Sequence, residues 1–400
     1  MDMFFIRNWI GLFILGAINN LPYVIVTSAA KTIADRFDEK NLVGLVFGAN
    51  VALNVVVKVA NTFLLKTSYS ARYVANSCLM LMGLFGVAYA FRFWFALLCI
   101  VFVGASSAFG ENVALGYLKH FPSKLVNAWS SGTGMAGLLG SGIYIIFGCV
   151  VGPGGQDQDE LRRLIKYAFL LTTPCVVLYL YAYFGVIRRP QEIASIQKEE
   201  KGETEPLFAS TNDQSNEIEE KPEVTQDSRI TFLRKVWTGY KRIAWISFNL
   251  AAVYMFEYVA QGCAAKVRPH TEYNASCPEL FAGIALCYQA GVFVSRSSVQ
   301  LYQIRKIEIL SVIQFFNMVL WVMDVHWKFL PTAALPALMI FVGLLGGASY
   351  VNIFYLLLND RKYEEDRELL INMAAIFITV GIIMGTAFET LLFSTILSND

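Results

Sequence analysis

The length of its uncharged runs restricts this chain more than any other feature. Between Arg92 and Lys119 stand 26 residues, "FWFALLCIVFVGASSAFGENVALGYL", in which Glu111 alone is charged. A helix rising 1.5 Å per residue needs about 20 apolar residues to cross roughly 30 Å of hydrocarbon. Eleven such runs can be counted, at about 8–30, 41–65, 73–91, 93–118, 128–151, 164–187, 243–265, 280–300, 307–326, 333–358 and 369–396. A soluble helix shows an apolar stripe rather than an apolar block. The expected fold is an all-α polytopic membrane protein with eleven transmembrane helices.

The runs divide around one polar stretch. From Gln191 to Ser228 there are eleven acidic residues and three lysines with few aromatics, which predicts a disordered loop within 188–242. Six runs precede it (1–187) and five follow (243–400), a six-plus-five arrangement of two halves in the manner of major-facilitator transporters. "GASSAFGEN" and "LGGASYVN", in the fourth and tenth runs, are both small-residue stretches leading to an intramembrane Asn. Shared composition among membrane helices explains this echo as well as an internal repeat does.

Charge placement sets the orientation. With the N-terminus in the cytosol, 21 Lys and Arg fall on the cytosolic side, including Arg296, against 10 opposite, with Lys58 inside a span. Without the long central loop the counts are 11 and 10. The C-terminus is then non-cytosolic, as is the chain's one Asn-X-Ser/Thr sequon, at Asn274. Cys263 and Cys277 flank that loop and could pair in an oxidising lumen, or stay free. In the central loop "ETEPLF" approximates an acidic dileucine sorting signal, with Glu203, Leu207 and Phe208 as its elements.

Charged groups inside a span cost at least ~2.5–3.5 kcal/mol on insertion scales, so they face a partner or a cavity. Lys58 lies eight residues before Lys66, and Glu111 eight before Lys119. Their spans run in the same direction, which places both at a similar depth, about 12 Å inside the boundary. The pair can be a buried salt bridge, or part of a site for a zwitterion, an anion or a proton. Glu257 in "VYMFEYVAQG" shares a polar helix face with Tyr258 and Gln261, and suits either a proton carrier or a structural hydrogen bond. Glu389 and Asp324 fall near span ends and are expected at the interface. Asn19, Asn20 and Pro22 in "INNLPY" predict a break at the middle of the first span, a recurring mark of transporter sites. Gly132, Ala136 and Gly140 recur every four residues and predict close helix packing rather than a phosphate loop.

Catalysis has little support. Three histidines lie at loops or span ends, and no nucleophile motif, metal-ligand spacing or nucleotide-binding domain is visible. The expectation is a non-enzyme without cofactor or metal and with no nucleic-acid partner: a secondary transporter or a non-catalytic membrane regulator.

The stretches "GAINNLPYVIVTSAA", "SSAFGENVALGYLKHFP", "WSSGTGMAGLLGS", "YQAGVFVSRSS" and "GLLGGASYVN" closely resemble the battenin (Batten disease protein) family. The resemblance covers most of the chain outside the acidic loop. It implies a major-facilitator-like protein of lysosomal and late-endosomal membranes, with a cytosolic N-terminus and a lumenal C-terminus. It further implies export of glycerophosphodiesters such as glycerophosphocholine, a role in lysosomal pH, and clathrin adaptors or other trafficking proteins as partners of the central loop. A basic amino-acid transporter and a non-transporting lysosomal scaffold are the alternatives. Lys58, Glu111 and Glu257 match polar intramembrane positions of the family, and Tyr288 and Gln289 lie in its "YQAGVF" motif. On this reading Asn19, Asn20, Lys58, Glu111, Glu257, Tyr258, Tyr288, Gln289 and Asn352 are the expected substrate-binding residues. The tyrosines would face a choline group through cation–π contact.

Overall fold

The computed structural model describes residues 3–39, 42–64, 67–151, 158–189, 226–264, 280–299 and 301–395. Helix lies at every place where a span is expected. In the first half these are α1 (Met3–Ser28), the short α2 (Ala30–Arg36), α3 (Val43–Val51), α4 (Asn54–Phe63), α5 (Tyr69–Ala88), α6 (Phe93–Tyr117), α7 (Val126–Val151), α8 (Gln158–Thr172) and α9 (Cys175–Tyr181). The second half holds α10 (Gln226–Ala264), α11 (Leu280–Ser297), α12 (Ile307–Trp327), α13 (Leu335–Asn359) and α14 (Arg367–Thr395). Nine helical stretches among the described residues are long and apolar enough to cross a membrane; α7 and α11 stand at the other two expected positions.

Two boundaries differ from expectation. α1 is one continuous helix through Pro22 rather than a broken one. Proline removes a single rung of the ladder, and the Asn19 amide donates sideways to the Ser107 carbonyl on α6 instead of replacing that rung. The interruption falls in the second span, at Ala52–Leu53 between α3 and α4. Asn50 and Asn54 flank it, and asparagine amides compete with the helix ladder; that of Asn50 donates to the Tyr23 carbonyl at 3.2 Å. The second difference is that α10 begins at Gln226, inside the segment expected to be loop. The stretch "RITFLRKVW" carries no Gly or Pro and mixes apolar with basic residues, so helix continues outward from the span. The sorting stretch at Glu203, Leu207 and Phe208, the sequon at Asn274 and the partner cysteine Cys277 lie outside the described residues.

Pairs of helices inside each half close on glycine. A methyl added at Gly132 of α7 would stand 2.1 Å from the Phe13 carbonyl oxygen on α1. The second half repeats the device, since a methyl at Gly381 of α14 would stand 2.3 Å from the Ala251 carbonyl oxygen on α10. Lipid is as apolar as leucine, so helices in a bilayer gain by close backbone approach rather than by hydrophobic exclusion. The small-residue face of α7 is therefore a packing face, as its spacing predicts: Ala136 is buried and Gly140 abuts Val24. The halves meet along α7 and α11, where a methyl at Gly134 would stand 2.8 Å from Phe293 Cα, and along α4 and α14.

At the face where α1 begins, charged side chains tie the halves together. Glu368, at the start of α14, accepts from Lys119, and its Oε1 stands 3.6 Å from an Arg72 guanidinium nitrogen. Arg72 is 2% exposed and its guanidinium also lies 4.1 Å from the centre of the Tyr69 ring. Lys235 pairs with Asp366 at 2.5 Å, within the second half.

Candidate functional site

A cavity of about 240 Å³ lies between the halves, built from one face of each of several helices. α1 contributes Asn20, Tyr23, Val24 and Thr27, spaced i, i+3, i+4 and i+7. α10 contributes Tyr254, Tyr258 and Gln261, and α11 contributes Tyr288, Gln289, Val292 and Arg296, again at helical spacing. α4 and α6 supply the charges, Lys58 and Glu111, while α14 closes the wall with Thr379, Ile382, Thr386 and Glu389.

Lys58 is 2% exposed, and its Nζ donates to Glu111 Oε2 at 2.8 Å. The equal depths read from sequence thus coincide with a direct contact. A second Nζ hydrogen goes to the Ala375 carbonyl of α14, also at 2.8 Å. One lysine therefore binds a carboxylate of its own half and a backbone oxygen of the other. Burying an ammonium is costly, and two charge-compensating acceptors are what make this position tolerable.

Six of the nine expected residues line the cavity: Asn20, Lys58, Glu111, Tyr258, Tyr288 and Gln289. The other three stand elsewhere. Asn19 is fully buried in a polar cluster behind the α1 wall, bonded to the Ser107 carbonyl at 2.9 Å and to Asn76 at 3.2 Å. Asn76 donates in turn to the Tyr179 hydroxyl at 3.0 Å, and Gly110 leaves room for the Asn19 oxygen. This cluster fastens α1, α5, α6 and α9 and fixes the face that Asn20 presents. Asn352 holds the approach to α12, accepting from the Ile304 backbone N–H at 2.7 Å.

Glu257 sits one layer behind the cavity, 1% exposed, with Oε1 accepting from the Tyr288 hydroxyl. Among the described residues its Oε2 has no hydrogen-bond partner, and it occupies the space left by Gly346, where a methyl would stand 1.8 Å from it. The two partners should respond unequally to mutation. Tyr288→Phe strands the whole buried carboxyl group and is expected to cost about 1–3 kcal/mol, whereas Glu257→Gln keeps an acceptor for the phenol and costs less. Thermal unfolding of the purified protein measures the difference; equal effects would remove the bond from this account.

Sequence reasoning missed several lining residues. Arg296 was expected among the cytosolic charges, but it lies within α11 on the cavity wall. Its guanidinium donates to Thr133 Oγ1 at 2.7 Å and to the Tyr254 hydroxyl at 3.2 Å, and lies 4.2 Å from the centre of the Tyr350 ring. The available signal was periodicity: Arg296 stands eight residues after Tyr288, hence on the same face two turns on. Glu389, expected at the interface, also lines the cavity and fills the space beside Gly262. Asp324 is buried at the end of α12 and accepts from the Leu330 N–H at 2.8 Å, in keeping with a span end. Tyr23 reaches across the halves to Tyr258, hydroxyl to hydroxyl at 3.1 Å.

The fold is that of the major facilitator superfamily. A proton:xylose symporter, XylE, bound to 6-bromo-6-deoxy-D-glucose, superposes with a TM-score of 0.65 over 99% of this chain and 90% of that one, at 11% identity. The E. coli fucose:proton symporter FucP gives 0.59 over 98% and 91%, at 15% identity. Sequence relatives are nearer. Battenin of Dictyostelium discoideum is 35% identical over 427 aligned positions, spanning 100% of this chain and 97% of the relative. Battenin of Canis lupus familiaris is 28% identical, spanning 94% and 88%. The family model described as CLN3 protein matches residues 10–398, and the chain, a multi-pass membrane protein, belongs to that family, the battenins.

Proposed function

We propose that this protein is a secondary transporter of small zwitterionic phosphodiesters, of the glycerophosphocholine type, out of the lysosome. The observation that carries the reading is the cavity between the halves, which joins charges of both signs to a wall of tyrosine hydroxyls. Its volume of about 240 Å³ falls below the ~300–1,000 Å³ typical of drug-sized sites. That favours a headgroup-sized solute over a two-chain lipid. The rings of Tyr23, Tyr258 and Tyr288 suit a quaternary ammonium. Lys58, bonded to both halves, is placed to register a change in their separation.

The same reading includes the orientation and address of the chain. The N-terminus is cytosolic, Asn274 carries a lumenal glycan, and Glu203, Leu207 and Phe208 engage clathrin adaptors. The Glu368 cluster then closes the cytosolic side, leaving the cavity nearer the lumen, whence cargo would enter.

The decisive measurement is flux. Vesicles containing only this protein are expected to move labelled glycerophosphocholine, with an imposed pH gradient altering the rate. Flux of labelled lysine or arginine instead would transfer the reading to basic amino acids. No flux of either, from protein shown to be folded, would favour a lysosomal scaffold.

A further inference from the structure

We infer that Arg296 is the anion-holding residue of the cavity and that it takes a phosphate-type oxyanion; this rests on the transport reading above and deepens it. Among the described residues Arg296 has no carboxylate in ion-pair range. Glu111 is paired with Lys58 and Glu257, behind the wall, accepts from Tyr288, so both act on Arg296 only through space, and Glu389 lines the cavity as a further carboxylate. Lys58 is paired with Glu111, so among the described lining residues Arg296 is the cation that no salt bridge holds.

The guanidinium is held before any ligand arrives. Thr133 fixes one terminal nitrogen from α7, Tyr254 fixes the other from α10, and the Tyr350 ring of α13 lies over the plane. Those two bonds use two of five N–H donors, and the Nε hydrogen has no acceptor among the described residues. A planar fork with donors to spare matches a phosphate oxygen pair better than a point charge does. Thr133 passes its own hydroxyl hydrogen to the Ser130 carbonyl at 2.8 Å. The Tyr254 oxygen accepts from Arg296, which leaves its hydrogen to donate to the same oxyanion. Neutral hydroxyls hold the arginine without cancelling its charge, as a reversible anion site requires. Because Thr133 belongs to the first half and Tyr254 and Tyr350 to the second, a bound anion sits at the seam along which the halves separate.

The test uses the full-length protein in detergent and in vesicles, with glycerol 3-phosphate, inorganic phosphate and, as neutral control, glycerol. The phosphate probes are expected to raise the unfolding temperature of the wild type and glycerol is not. Arg296→Gln should abolish that response and raise the KM for glycerophosphocholine by about two orders of magnitude. Arg296→Lys should restore part of both, and Tyr254→Phe should weaken binding several-fold; these two carry the test if Arg296→Gln does not fold. Lysophosphatidic acid forms a second arm: a response to it alone assigns the oxyanion to a lipid headgroup, with Arg296 still its anchor. A wild type that ignores every phosphate probe overturns the proposal, as does Arg296→Gln responding like the wild type. Flux that survives unchanged in Arg296→Gln leaves the transporter standing without this anchor. Phosphate-dependent stabilisation without flux leaves the anchor standing without the transporter.

Discussion

Lys58→Met is expected to be among the most damaging single substitutions in the chain, lowering stability by about 3–5 kcal/mol. The loss comes less from the bond removed than from what remains. Glu111, 13% exposed, would be left with no ammonium beside it, and the Ala375 carbonyl would lose a donor from the opposite half. Removing both charges should therefore be milder than removing one: Lys58→Met with Glu111→Leu should recover most of the stability. Flux should be lost in the single and the double variant alike if the pair serves transport. Thermal unfolding in detergent and vesicle uptake, run as a double-mutant cycle, separate the two roles. A double variant as unstable as Lys58→Met would mean that the pair does not act as a unit.

Glu368→Gln is expected to loosen the closed side of the cavity, at the face where α1 begins. The carboxylate neutralises Arg72, which is almost wholly buried, and accepts from Lys119, so the first half would keep two cations facing a neutral amide. The cost should reach a few kcal/mol, and part of it should appear as opening rather than unfolding, because the bridge spans two halves that can part. A Ser107→Cys reporter on the cavity wall should react with a charged thiol reagent at least about tenfold faster from the α1-start face in Glu368→Gln. Added salt should imitate the mutation poorly, since Arg72 and Glu368 are largely shielded from solvent. An unchanged labelling rate would make Glu368 a local brace rather than a closure.

Lengths and depths were readable in the sequence because a bilayer imposes them. Run length put a helix at each expected span, and counting residues from span ends put Lys58 and Glu111 at one height. Azimuth was not readable, and there the expectations went astray. Nothing in "INNLPY" says that Asn19 turns toward Asn76 and Tyr179 while Asn20 faces the cavity; only α5 and α9 beside it decide that. Arg296 was counted with the boundary charges because it lies close to the end of its run, 280–300, yet its side chain lies along the cavity wall. The break in the second span was missed for a related reason. "NVALN" holds no Gly or Pro, and its asparagines act through what they can reach, such as the Tyr23 carbonyl.

The contact between Lys58 and Glu111 also has an electrical side. Moving one elementary charge through the full transmembrane potential involves about 2.3 kcal/mol per 100 mV. A lysine and a glutamate at one depth, bonded to each other, sum to zero and feel almost no net force from that field. Rearrangement of this pair would generate little displacement current, and what voltage sensitivity the cycle has would fall to Arg296 and its cargo. A zwitterion seated there adds no net charge, so any current during its passage would report coupled protons and not the cargo.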